Sequence, residues 1–465
     1  MAALDYGKIY EDYWRRPDRM GSHSFRDPME IARSIIRVTG PTRVLDVGTG
    51  MGGLVLALLR CGCDAQGIDA SRVAIEQANL KAPGRYLVAS ALDMPFKDDS
   101  FPTVVSTDFL EHLAEADVAR ALREMWRVCA DTLYLRVATA QDRDNHWHLT
   151  VRPRIWWEEQ AILAGFRKHP MQLDIIGYEE LEAEGDTVTL VMQKIPSSVQ
   201  ERYPIDVLRE ERQLHMDMTR EPGRRSDAHI VRYKLARDYI RPGDIVLDIA
   251  CGLGYGTALM SFCSGASCVI GVDNSEFAID YARGNFGHDP RVEFRCEDGS
   301  DLNWLPDASV DYVVSMETLE HLPDPEKFIS SVARVLKPGG RIFVSVPNMW
   351  VDENGQDPNP HHLHVYNLTK LKRQLAAHFH LERVWEQTAG GAFKLPNGKR
   401  RLRQVDLDAN DVPDPEWWLC VAVKSPTAAA AAEGYVESVH VITNASGHVA
   451  NFAGWYDNPF LVPGL

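Results

Sequence analysis

The sequence predicts an α/β protein made of two successive doubly wound sheets, each mostly parallel with an antiparallel edge. Three observations carry that expectation. An aliphatic run enters a glycine-rich turn and then a helix at Val44-Leu-Asp-Val-Gly-Thr-Gly-Met-Gly-Gly53, and again at Val246-Leu-Asp-Ile-Ala-Cys-Gly-Leu-Gly-Tyr-Gly256. Strand-like and helical segments alternate after each turn, the pattern of βα units. The landmarks downstream of each turn recur in the same order, which marks a duplication.

The elements follow in order. Residues 1 to 40 are aromatic and charged (Tyr6, Tyr10, Tyr13, Trp14), with a helix at about Asp27 to Val38, and are expected to pack over the mouth of the first domain. Strands are read at Arg43–Val47, Ala65–Ile68, Tyr86–Ala89, Thr103–Ser106 and Thr132–Val137. Two more, near Leu173–Tyr178 and Thr187–Gln193, are read as an antiparallel closing pair. Ile195 to Ile205 reads as a linker. The pattern restarts with a helix at Asp227–Tyr239. Strands follow at Ile245–Asp248, Ser267–Val272, Val292–Cys296, Tyr312–Ser315 and Arg341–Val346, and the closing strand is Trp417–Val423. The expected domains are 1–195, with leader 1–40, and 196–425, while 426–465 is a linker and docked tail.

Composition narrows the function. A chain of 465 residues exceeds one ordinary core. No apolar run approaches the roughly 20 residues of a membrane span. The first residues lack a secretory pattern, so a cytoplasmic protein is expected. The eight cysteines form no zinc-ligand spacing: Cys61 and Cys63 stand close, but nothing completes a tetrahedral set. A net charge of −16 disfavours a nucleic-acid partner and leaves a small-molecule or glycan acceptor.

Each turn is preceded by an acid at the end of the first strand, Asp46 and Asp248. A carboxylate there would repel a pyrophosphate, the usual occupant of a dinucleotide turn. It suits a cationic ligand such as S-adenosylmethionine, with Asp69 and Asp273 accepting from ribose hydroxyls and Asp93 and Asp298 receiving the adenine amino group. Each fourth strand ends in Leu-Glu-His-Leu (110–113 and 319–322), and each fifth strand is followed by a histidine-rich loop, Asn145-His-Trp-His-Leu149 and Pro360-His-His-Leu-His364. Of the first loop and its continuation, His148 and Arg152 are the residues expected to line a site, whereas Trp156 and Trp157 read equally well as core.

These residues resemble the class I S-adenosylmethionine-dependent methyltransferases over about 40–195 and 225–350. The resemblance includes Leu336-Lys-Pro-Gly-Gly-Arg-Ile-Phe-Val344. It implies two Rossmann-like domains. The cofactor contacts it implies are Asp46, Gly48, Gly50, Asp69 and Asp93, then Asp248, Gly252, Gly254, Asp273 and Asp298. Ser315-Met-Glu-Thr-Leu-Glu-His-Leu-Pro-Asp-Pro325 is similar to the ubiquinone-biosynthesis O-methyltransferases and, more loosely, to small-RNA 2′-O-methyltransferases. That likeness implies a metal set of Glu317, Glu320 and His321, completed by a loop histidine, His362 or His364, and holding Mg²⁺ or another divalent ion. Without metal, His321 would act as general base, with His112 and His148 at corresponding places in the first half. Asp108 stands where the second half has Glu317. The expected activity is O-methylation of a small or carbohydrate acceptor by both halves. The alternatives are one catalytic and one scaffolding half, or RNA 2′-O-methylation.

Overall fold

The computed structural model describes residues 4–16, 27–142, 146–181, 186–210, 216–352, 355–391, 394–395, 398–406 and 413–425. The tail expected over 426–465 lies outside them. The chain divides into two compact units, one of Met1–Arg202 with Thr219–Gly223, the other of Tyr203–Met218 with Arg224 onward.

In the first unit the order is α1 (Tyr6–Arg15), α2 (Pro28–Thr39), β1 (Arg43–Val47), α3 (Gly53–Arg60), β2 (Asp64–Asp69), α4 (Arg72–Lys81), β3 (Tyr86–Val88) and β4 (Phe101–Thr107). It continues with α5 (Glu115–Val128), β5 (Cys129–Ala138), α6 (Arg154–Leu163), β6 (Phe166–Lys168), α7 (Gln172–Ile175), β7 (Thr187–Lys194) and α8 (Ser197–Arg202). The sheet order is β3-β2-β1-β4-β5-β7-β6. Strands β1 to β5 run parallel, while β7 is antiparallel to β5 and β6. The order reverses beside β1, so a crevice opens at the carboxyl ends of β1 and β4.

The second unit repeats this plan. It holds α9 (Ile205–Glu210), α10 (Arg224–Arg237), β8 (Ile245–Ile249), α11 (Tyr255–Ser261), β9 (Cys268–Asp273), α12 (Glu276–Phe286), β10 (Val292–Cys296) and β11 (Val310–Met316). Then come α13 (Pro325–Val335), β12 (Leu336–Pro347), α14 (Leu368–Ala376), β13 (Phe379–Thr388), β14 (Arg401–Gln404) and β15 (Trp417–Lys424). The sheet order is β10-β9-β8-β11-β12-β15-β13-β14. Both sheets are mostly parallel with antiparallel edges, as the sequence predicts.

Local chemistry explains the boundaries. Asp27 caps α2 by accepting from Met29 N at 3.0 Å, with Pro28 at the first helical position. Ser71 and Ser275 cap α4 and α12 identically, each accepting from a backbone N–H at 3.2 Å. Val44, Leu45 and Val47 are fully buried, as are Val246 and Leu247, because parallel strands are covered on both faces.

The structure corrects one sequence expectation and adds detail at two other places. Leu173–Tyr178 is not a strand: α7 and a 3₁₀ turn at Tyr178–Glu180 occupy it, and the edge strand is β6. The Gln172 amide reaches β7, donating to the Thr189 carbonyl at 3.2 Å and accepting from Val191 N, so a side chain takes hydrogen bonds that a strand would have made. The linker stretch is helical over Ser197–Arg202. Strands β13 and β14 were not anticipated, because Glu382, Arg383 and Glu386 interrupt any clean alternation in Phe379–Thr388. Pairing with β15 decides that segment.

Glycine matters most at Gly254, where φ is +78° and a methyl would lie 2.6 Å from the Ala282 Cβ and 2.7 Å from the Phe294 ring. Gly254→Ala is expected to destabilise the protein by about 3 kcal/mol. Thermal denaturation of the full chain checks this, and an unchanged midpoint refutes it.

Candidate active sites

The glycine turns are built alike. In the first unit the Thr49 hydroxyl donates to Asp46 Oδ2 at 2.7 Å, Gly50 N donates to Asp69 Oδ2 at 2.9 Å, and Ser71 N donates to Asp69 Oδ1 at 2.8 Å. In the second, the Thr257 hydroxyl donates to Asp248 Oδ2 at 2.7 Å, Gly252 N to Asp273 Oδ2 at 2.9 Å, and Ser275 N to Asp273 Oδ1 at 3.0 Å. Each second-strand acid thus ties the turn to the next helix. Asp46 and Asp248 are 2% and 0% exposed, and burial pushes each carboxyl up to about 7, the Thr49 and Thr257 hydroxyls opposing the rise. A cation arriving beside such a group favours its ionised form.

A cavity of about 990 Å³ opens over the first turn, lined by Asp46, Gly48, Gly50, Asp69, Glu111, His112 and His148 among others. Segment Ala89–Leu92 also lines it. Asp93 does not, and is exposed; Asp298 is likewise exposed and accepts from Ser300 N at 2.8 Å. Gly254 corresponds to Gly52, not to Gly48 or Gly50, and a Cβ there would meet Ala282 and Phe294. The counterpart of Gly48 is Ala250, which holds a left-handed φ of +57°.

Beyond the turn, each unit brings an acid and two histidines together. Glu111, His112 and His148 present ligand atoms that all lie within 4.8 Å of one another, and so do Glu320, His321 and His362. The loop histidines arrive because the loop backbone docks on the glutamate's own carbonyl: Thr150 N donates to Glu111 O at 3.0 Å, and Leu363 N to Glu320 O at 2.7 Å. Three ring orientations are set by main-chain carbonyls. His112 Nδ1 meets Trp147 O at 3.1 Å, His148 Nδ1 meets Ala140 O at 2.7 Å, and His321 Nδ1 meets His361 O at 2.9 Å. A carbonyl accepts, so Nδ1 carries the proton and Nε2 presents its lone pair. His362 differs, with Nδ1 on Asp357 at 2.7 Å and Nε2 near the Asn359 amide at 3.0 Å.

The acids are fully buried. Glu111 accepts from Ala138 N at 3.0 Å through Oε1, while Oε2 has no hydrogen-bond partner among the described residues, and neither oxygen of Glu320 has one there. Burial, then repulsion from Asp108, pushes Glu111 up to about 8, and burial with Glu317 nearby pushes Glu320 well above the carboxylate range. Burial lowers His321 to about 4, so its ring is neutral at pH 7. A buried carboxylate beside two imidazoles is a donor set that fits a divalent ion.

Two expected ligands are elsewhere. Glu317 has φ +49° and turns its carboxylate toward β12, β15 and α10. It accepts from the Ser345 hydroxyl at 3.1 Å and Trp417 Nε1 at 2.8 Å, with Arg232 at 3.5 Å. His364 is buried, its Nε2 on the Leu322 carbonyl at 2.9 Å. Asp108 (φ +51°) is ion-paired with Arg136. Arg152 pairs with Glu115 outside the cavity lining, and Trp157 is fully buried core. Sequence reading missed Arg136 and Arg232. A lone arginine in the apolar run Leu133-Tyr-Leu-Arg-Val137 was the available signal for the first.

The family profile described as a methyltransferase domain matches residues 45–134 and again 247–344. A protein named "Probable S-adenosylmethionine-dependent methyltransferase" from Mycolicibacterium smegmatis is 40% identical over 135 residues, covering 29% of this chain and 50% of that protein. A ubiquinone biosynthesis O-methyltransferase of Coxiella burnetii is 36% identical over 108 residues, covering 23% and 44%. The chain therefore spans half or less of the length of these relatives. A SAM-dependent methyltransferase structure from Aquifex aeolicus is similar with a TM-score of 0.30 at 21% identity, covering 41% of this chain and 88% of that one. With the profile matched once in each sheet, over the turns and acids described above, the chain carries two methyltransferase domains.

Proposed function

We propose that each unit transfers the methyl group of S-adenosylmethionine to a hydroxyl of a small polar acceptor, sugar hydroxyls being the favoured class. The observation that carries this reading is the glutamate–histidine–histidine cluster beyond each glycine turn. Asp46 and Asp248 would face the cationic end of the cofactor, and Asp69 and Asp273 its ribose. Glu111, His112 and His148, and Glu320, His321 and His362, would hold a divalent ion, whose chemistry is to lower the pKa of a bound hydroxyl. The chain's own part is to align an acceptor oxygen with the sulfonium methyl; with no ion bound, Nε2 of His112 or His321 would instead take the hydroxyl proton. Tyr13 and Trp147, edge to face at 4.8 Å, give the first cavity an aromatic wall suited to a sugar face. No helix among the described residues is long and apolar enough to cross a membrane, and all eight cysteines are free thiols; both fit a cytoplasmic enzyme.

A panel of monosaccharides, catechols and nucleosides, read by mass for the gain of one methyl, tests the reading. Methylation of a hydroxyl that stops with chelator and returns with Mg²⁺ or Mn²⁺ is expected. Methylation at nitrogen or carbon only, or indifference to chelation, sinks the hydroxyl or the metal half of the proposal respectively.

A further inference from the structure

The two glycine turns match in backbone but differ in what covers them. At Gly50 the added methyl of an alanine would lie 2.8 Å from Cζ2 and 3.1 Å from Cη2 of Trp14, so the indole is packed directly on the turn. At Gly252, its counterpart, nothing among the described residues comes within 4 Å of that position. Trp14 belongs to α1, which also brings Tyr10 and Tyr13 into the cavity that holds Asp46 and Asp69. The Tyr10 ring lies edge-on to His112 at 5.7 Å and its hydroxyl donates to the His112 carbonyl at 3.4 Å. Helix α1 therefore spans the cavity from the cofactor turn to the histidine cluster.

We propose that Trp14 is a cofactor-contacting residue of the first unit, so that this site holds S-adenosylmethionine under an aromatic cover that has no counterpart among the described residues of the second. An indole beside a sulfonium-bearing nucleoside stabilises it through apolar burial and cation–π attraction. The cover can also lift. No residue of α1 is fully buried, so its departure uncovers little core. Polar and ring contacts are among its anchors: the Tyr6 hydroxyl donates to Asp117 at 2.6 Å and accepts from Ala114 N at 3.0 Å, and Arg16 lies over Trp147 at 5.9 Å. Elements held this way open at low cost. The two sites should then release cofactor at different rates, the first only when α1 moves aside.

The test uses the full chain loaded with tritiated S-adenosylmethionine and chased with unlabelled cofactor. Release is expected in two phases separated by about tenfold. Trp14→Ala should bring the slow phase up to the fast one, Trp14→Phe should fall between, and Tyr6→Phe, which cuts the anchor to Asp117, should also speed the slow phase. The fast phase stays unchanged throughout and reports an intact fold. Single-phase release from the parent protein, or a slow phase that Trp14→Ala and Trp14→Phe leave within twofold, overturns the assignment.

Discussion

Asp46→Asn and Asp248→Asn are each expected to abolish cofactor binding at one site and spare the other, so that calorimetric stoichiometry falls from two to one. The reason is charge. Each carboxyl is buried, with a threonine hydroxyl on one oxygen, and removing one member of a desolvated ion pair costs about 3 kcal/mol, more than a hundredfold in Kd. The same burial predicts a pH dependence. Both groups are raised to about 7, so in the free protein they are largely protonated at pH 6. The cation binds the ionised form and expels the proton. Affinity should rise toward a tenfold gain per pH unit below 7 and level off above it. For the free protein the sign is opposite: a carboxyl raised in the folded state costs stability as pH climbs from about 4 to about 7. Affinity that is flat between pH 6 and 8 would show that neither aspartate meets the cationic end.

The second large effect belongs to the buried glutamates. Glu320→Gln keeps the shape of the side chain but removes the charge that a divalent ion would meet, as Glu111→Gln does in the first unit. Each is expected to eliminate one Mn²⁺ site in a titration with the metal alone, and to lower turnover of that unit by about a hundredfold with cofactor affinity unchanged. Retained Mn²⁺ binding in both variants would mean that these carboxylates are not ligands. Glu317→Gln separates the two acids of the second unit. With its carboxylate committed to Ser345, Trp417 and Arg232, its loss should leave the Mn²⁺ site in place.

What the residues determined by themselves is the plan. A buried strand needs an unbroken aliphatic run, and a turn that must fold back sharply into a helix needs glycine; both are local requirements, so Val44–Gly53 and Val246–Gly256 announce the two sheets and their cofactor ends. The acids that cap and brace those turns, Asp46, Asp69, Asp248 and Asp273, are legible for the same reason, because their partners lie within one βα unit. What only the tertiary structure decided lies where partners are distant in sequence. Whether His362 or His364 joins Glu320 depended on how the loop backbone docks on the Glu320 carbonyl. A positive φ turned Glu317 away from the ligand set that spacing suggested. Strand β13 exists because β15 pairs with it, against the charges in its own sequence. The placing of Trp14 on the Gly50 turn belongs with these: its aromatic character was visible in the leader, but the face it covers was set by contacts of α1 with residues a hundred positions away.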